Sequence, residues 1–181
     1  MINERGFWGE EEALSMHTFD HVLCDKIIEV CRGHKTIVDI GCGNGSYVYK
    51  LEEAGYEVTG YDGSPATTEI TKGRCGVMDF SNAVDIGTFD VVLSLEIGEH
   101  IPLQYEQTFI DNICNATKKL LITSWAIEGQ GGTGHVNCRN NDYIIKEIES
   151  RGLEHLPDIN DYLRLDVYLP WFANTVLVFK K

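Results

Sequence analysis

Four side chains in two stretches of this sequence are of the types that move protons or hold metal ions. One stretch reads Glu96-Ile97-Gly98-Glu99-His100-Ile101-Pro102 and follows an apolar run, Phe89 to Glu96, that reads as a strand. The other reads Gly129-Gln130-Gly131-Gly132-Thr133-Gly134-His135-Val136-Asn137 and follows a second such run, Leu120 to Trp125. Both stand at the carboxyl ends of strands, the edge where open α/β sheets bind ligands, so two carboxylates and two imidazoles can converge there. In one chemistry Glu96, Glu99, His100 and His135 hold a divalent metal (Mg, Mn or Zn) that binds a substrate hydroxyl and lowers its pKa. In the other no metal takes part: His100 or His135 is a general base, titrating near neutral pH, with Glu99 beside it. His135 and Asn137 alternate along the chain, so an extended loop would turn both to one side, where Asn137 can offer an amide to substrate. Trp125 can stack on a substrate ring or close the core above its strand, and its place at the end of an apolar run favours the core.

Such a site needs elements to position it, and the sequence supplies a cradle. The run Val38-Asp39-Ile40-Gly41-Cys42-Gly43-Asn44-Gly45 ends a strand, Thr36 to Ile40, in three glycines and opens a helix over about 46–54. Glycines there let a ligand lie against bare backbone, and the helix start offers N–H groups. The spacing is G-x-G-x-G with an acid two residues before the first glycine, whereas the dinucleotide fingerprint is G-x-G-x-x-G. A second strand, Tyr56 to Asp62, ends in an acid able to bind ribose hydroxyls, and Cys75 to Phe80 reads as a third.

In these motifs and their order the chain resembles the class I S-adenosylmethionine (SAM) methyltransferases. The resemblance implies that Asp39, Gly41, Cys42, Gly43 and Gly45 cradle SAM and that Asp62 and Gly63 meet its ribose. It further implies that Asp79 takes the adenine amino group between Met78 and Phe80, and that Glu96 borders the cofactor. It implies an α/β fold: a Rossmann-like three-layer αβα sandwich with a seven-stranded, mostly parallel sheet of order 3-2-1-4-5-7-6 and an antiparallel strand 7. A helix ahead of the first strand, as in that family, would lie over the cofactor, with Trp8, His17 and Phe19 as candidates to line the substrate pocket. The pattern E-x-x-E-H with a later His is similar to the metal site of small-RNA 3′-terminal 2′-O-methyltransferases, and E-x-x-E-H also resembles ubiquinone-pathway O-methyltransferases. The RNA substrate does not carry over, because this chain is acidic and short.

Periodicity predicts one leading helix from about 11 to 30, then helices over 103–115 and 141–150. It predicts two closing strands, 163–169 and 174–179, joined by Pro170-Trp171-Phe172-Ala173. The 181 residues read as a single domain, with 1–34 as a helical cap and 35–181 as the core. A net charge of −13 and scattered Lys and Arg disfavour nucleic acid as partner and leave a small-molecule substrate. There is no membrane-spanning run, no basic start leading into an apolar segment, and six cysteines without a C-x-x-C, so a cytoplasmic protein with free thiols is expected. The expected activity is SAM-dependent O-methylation of a small polar molecule such as a sugar or polyol, with or without a metal. The alternatives are N- or carboxyl-methylation by a His base, and a catalytically silent SAM-binding partner. Oligomeric state is open.

Overall fold

A computed structural model describes residues 3–181; Met1 and Ile2, the first residues of the expected cap, lie outside the described residues. Seven strands form one sheet of order β3-β2-β1-β4-β5-β7-β6. They are β1 (Thr36–Ile40), β2 (Glu57–Asp62), β3 (Gly76–Val77), β4 (Phe89–Ser94), β5 (Thr117–Ser124), β6 (Glu154–His155) and β7 (Val176–Lys180). The pairs among the first five are parallel, and β7 runs antiparallel to β5, with Leu120 opposite Lys180. This is the expected order and the expected antiparallel strand.

Alternation along the buried strands builds two cores, because successive side chains leave a strand on opposite faces. On one face Ile37, Val91, Leu93 and Val178 pack with helices α2 (His21–Val30), α3 (Ser46–Glu53) and α7 (Pro157–Arg164) through Leu23, Ile27, Val48, Leu51 and Leu163. On the other, Val38, Val92, Leu121 and Phe179 pack with α5 (Glu106–Ala116) and α6 (Asn141–Glu149) through Phe109, Ile110, Ile113, Ile144 and Ile148. The remaining helices are short: α1 (Glu10–Ser15), α4 (Thr67–Ile70) and α8 (Phe172–Thr175).

Three expectations need correction. The single helix over 11–30 is two helices, α1 and α2, broken at 16–20. Asp20 makes the break: its backbone is extended, one carboxylate oxygen caps α2 through Leu23 N (2.9 Å), and the other accepts from Leu169 N (2.7 Å). The strand expected over 163–169 is instead the end of α7 and the coil beyond it, and the edge strand is the two-residue β6. Pro157 opens α7, where a missing N–H costs nothing, and Asn160 and Leu163, one helical turn apart, are the buried pair. The third strand is also shorter than expected, because Asp79 turns the chain through bonds to Ser81 N and Oγ.

Candidate active site

The ends of β1, β2 and β4 and the loop that follows β5 enclose one cavity of about 440 Å³, within the range of roughly 300–1,000 Å³ usual for small-molecule sites. Its floor under β1 and β2 is held by backbone. Gly41 N and Cys42 N donate to Tyr61 O, and Gly43 N donates to Asp62 Oδ2 at 2.9 Å. Gly41 and Gly43 take left-handed φ values of 83° and 53°. A Cβ on Gly41 would lie 2.1 Å from the Ile97 side chain, and one on Gly43 would lie 2.2 Å from the His17 ring. Asp39 is buried, its Oδ2 has no partner, and burial pushes its pKa well up. Cys42, Asp62, Gly63, Met78, Phe80 and Glu96 line the cavity as well. A bare glycine floor beside an orphaned acid fits an adenosyl amino acid whose ammonium needs an acceptor.

Two expected cofactor residues lie elsewhere. Asp79 does not line the cavity, because Arg5 Nη1 (3.1 Å), Ser81 and Asn82 take its carboxylate. Gly45 sits behind the wall at the start of α3, where its φ of 79° lets the chain turn into the helix.

The β4 and β5 ends carry the catalytic candidates. Glu96 has a left-handed φ of 54° and donates its N–H to Ser124 Oγ at 2.8 Å, which fixes the exit from the strand. Gly98 follows, and a Cβ there would lie 2.1 Å from the Trp125 ring, so only glycine lets the 3-10 turn Gly98–His100 pack this close. The Glu99 carbonyl accepts from Val136 N (2.9 Å) and Asn137 N (3.0 Å), which ties the second loop to the first. Its side chain is fully buried and neither oxygen has a partner. Burial, and then the Glu96 charge, push the Glu99 pKa well above the usual carboxylate range.

His135 Nε2 lies 3.9 Å from Glu99 Oε1, and the rings of His100 and His135 meet edge to face at 5.1 Å. One ligand atom each from Glu99, His100 and His135 lies within 4.8 Å of the others, close enough for one ion. Glu96 is not one of that group: Gln130 Nε2 binds its Oε2 at 2.9 Å, while its Oε1 stays unpartnered. His100 Nδ1 lies 3.2 Å from Gly134 O and His135 Nδ1 lies 3.2 Å from Gln130 O. Donation to those carbonyls leaves both Nε2 atoms as lone-pair acceptors. Burial, and then His135, pull the His100 pKa down to about 4.

Neither Trp125 nor Asn137 reaches the cavity. Trp125 is buried, and its indole N–H donates to Asn137 O at 2.6 Å. The Asn137 amide donates to Glu106 Oε2 at 2.8 Å, so both residues anchor the loop. Glu106 itself escaped the sequence reading. It also binds Arg139 Nε (2.7 Å) and the Tyr143 hydroxyl, partners 33 and 37 positions away that no periodicity links.

The roof is an N-terminal strap. Arg5 binds Asp79 Oδ2, Ser81 Oγ and Asn82 Oδ1 and lies over Tyr105, and the strap delivers Phe7 onto Gly63 and Trp8 between His17 (5.0 Å) and His100 (5.5 Å). Trp8 and His17 line the cavity as expected, whereas Phe19 packs on Tyr47 instead. No helix among the described residues is long and apolar enough to cross a membrane.

Residues 16–164 match a family model described as a methyltransferase domain. Curated relatives include the ubiquinone biosynthesis O-methyltransferases of Mesorhizobium japonicum (35% identical over 75 residues, 36% of this chain and 30% of that protein) and Schizosaccharomyces pombe (30% over 103 residues, 48% and 38%). The chain thus spans less than half the length of these curated relatives. Among solved structures, a TehB-like SAM-dependent methyltransferase from Corynebacterium glutamicum superposes with a TM-score of 0.70 at 20% identity, covering 94% of this chain and 93% of the other. The magnesium protoporphyrin IX methyltransferase of Synechocystis with bound S-adenosylhomocysteine gives 0.66 at 17% identity, covering 94% and 90%.

Proposed function

This chain belongs to the class I SAM-dependent methyltransferases, and from that premise we propose that it methylates a hydroxyl oxygen of a small molecule, with His135 as general base. The observation that carries the reading is the Glu99 carboxylate, fully buried without a hydrogen-bond partner and 3.9 Å from a cavity-lining imidazole. Leaving such a group unpaired costs stability, which a chemical role accounts for and a packing role does not. Bound SAM supplies an electrophilic methyl on a sulfonium. The chain's own work is to orient and to deprotonate. His135 holds its Nδ1 hydrogen on Gln130 O, takes the acceptor's proton at Nε2, and has the Glu99 carboxyl 3.9 Å from that nitrogen. His100 is held neutral by burial. Trp8, Ile97 and Ile101 wall the space beside the two imidazoles, and the strap over them excludes water.

That apolar and aromatic wall favours a planar ring bearing the hydroxyl over the sugar or polyol suggested by sequence. The ubiquinone-pathway relatives, named as O-methyltransferases, agree with an oxygen acceptor.

A second reading keeps the same side chains. One ligand atom from each of three side chains converges within 4.8 Å, which also suits a divalent cation; Glu99, once deprotonated, His100 and His135 would hold it, and it would act as a Lewis acid on the acceptor hydroxyl. Radiolabelled methyl transfer to catechol, phenol, myo-inositol, benzoate and imidazole, each with chelator or added Mn, tests both readings. Products on the phenolic oxygen that survive chelation and vanish in His135→Ala are expected. Activity lost on chelation and restored by Mn would favour the cation, and methyl found only on nitrogen or carboxylate would overturn O-methylation. S-adenosylhomocysteine binding with no transfer to any acceptor would point to the silent partner.

A further inference from the structure

The cavity wall is one-sided in charge. Asp39, Asp62 and Glu96 line it, Glu99 lies just behind, and no lysine or arginine lines it among the described residues. The nearby cations are already committed: Arg5 to Asp79, and Arg139 to Glu106. The imidazoles add no fixed positive charge in their neutral forms. His17, His100 and His135 each set Nδ1 against a backbone carbonyl (Ala13, Gly134 and Gln130), which leaves Nε2 an acceptor. Among buried side-chain atoms without a partner, those on or beside the wall are Asp39 Oδ2, Glu96 Oε1 and both Glu99 oxygens, all carboxyl oxygens, against one N–H, Trp8 Nε1. The Gly41, Cys42, Gly43 and Gly45 amides donate within the protein.

SAM suits this wall, since its ammonium and sulfonium outweigh its one carboxylate and that carboxylate draws on the few donors present. A second anion finds no cation to pair with. It would be desolvated among acceptors, which is how a site turns a competitor away. The chain's net charge of −13 repels it before entry.

We propose that this site sorts methyl acceptors by charge, admitting hydroxyl compounds that are neutral or carry an ammonium and turning away those that carry a carboxylate or phosphate. The proposal rests on the O-methylation reading and narrows its substrate class.

The test uses three acceptors that share one ring: catechol, 3,4-dihydroxyphenethylamine and 3,4-dihydroxybenzoate. Each is titrated into protein loaded with S-adenosylhomocysteine, and each is assayed for methyl transfer from SAM. Binding and kcat/KM for the carboxylate should fall at least ~10-fold below catechol, with the amine equal to catechol or better. Glu96→Gln, which keeps the shape and removes a charge, should narrow the gap between carboxylate and catechol by ~3-fold or more. A carboxylate that binds and reacts as well as catechol overturns the charge rule and leaves O-methylation standing. Failure of all three to bind, while S-adenosylhomocysteine binds, overturns the O-methylation of ring hydroxyls and the charge rule with it. The wild-type comparison decides the matter even where Glu96→Gln does not fold.

Discussion

Two buried glutamates flank the bend between β4 and α5, and their surroundings are opposite. Glu106 is nearly inaccessible, and Arg139, Asn137 and Tyr143 all donate to it. Burial alone would raise its pKa, but the bonds from Tyr143, Arg139 and Asn137 outweigh that and hold it below the usual value. Glu99 is as buried, has only its own N–H and that of Ala126 to offset burial, and is pushed far the other way. The same loop meets both: its side chains tie to Glu106 and its backbone to the Glu99 carbonyl. A buried carboxylate that is fully paired holds structure; one left poorly paired beside an imidazole at a cavity is a candidate for chemistry.

The sharpest way to break this contrast is kinetic. His135→Ala should lower kcat/KM by about 10²–10⁴ while calorimetry finds S-adenosylhomocysteine affinity within about twofold of wild type. Loss of cofactor affinity instead would move His135 to the cofactor side.

Glu106→Ala should destabilise the fold by about 3 kcal/mol in urea denaturation, because it leaves Arg139 and Asn137 without their acceptor. A change under about 0.5 kcal/mol, the usual scale of a neutral surface substitution, would end its role as an anchor.

Gly43→Ala should weaken S-adenosylhomocysteine binding by ~10-fold or more, since the new methyl meets the His17 ring and the backbone there is left-handed. Unchanged affinity would mean that the His17 ring moves aside freely.

The smallest effect is on stability against pH. Glu99 has a raised pKa, so its burial costs nothing below about 4.5, the usual value, and the cost grows as pH rises above it because the unfolded chain ionises and the folded one resists. Glu99→Gln should therefore melt higher than wild type at pH 8 and match it near pH 4. Equal melting at both pH values would show that the carboxylate has a partner after all. In Glu106 the sign reverses: a lowered pKa gives stability above the usual value that is lost on acidification.

The cofactor half of the site was legible in the sequence because it is local. Asp39, Gly41 and Gly43 lie on one strand and turn, and the acid ending β2 is placed by ordinary strand pairing, Ile40 beside Tyr61. Asp79 shows the limit, since its claim by Arg5 from 74 positions away has no trace in local pattern. The break at Asp20 was hidden for the same reason: apolar spacing runs through it, and only the bond to Leu169 N shows why the chain turns there. The strand expected over 163–169 failed because a short apolar run does not by itself choose between strand and helix.

The sequence by itself determined the family and the glycine cradle, since alternation and G-x-G-x-G act over a few neighbouring residues; the strand order came only with the resemblance to that family. Tertiary structure alone decided which candidates share one space. It sent Trp125 and Asn137 into the core, paired Glu106 with distant donors, and left Glu99 unpaired against His135. Burial and partner choice depend on what the rest of the chain brings to a point, and no local spacing encodes that.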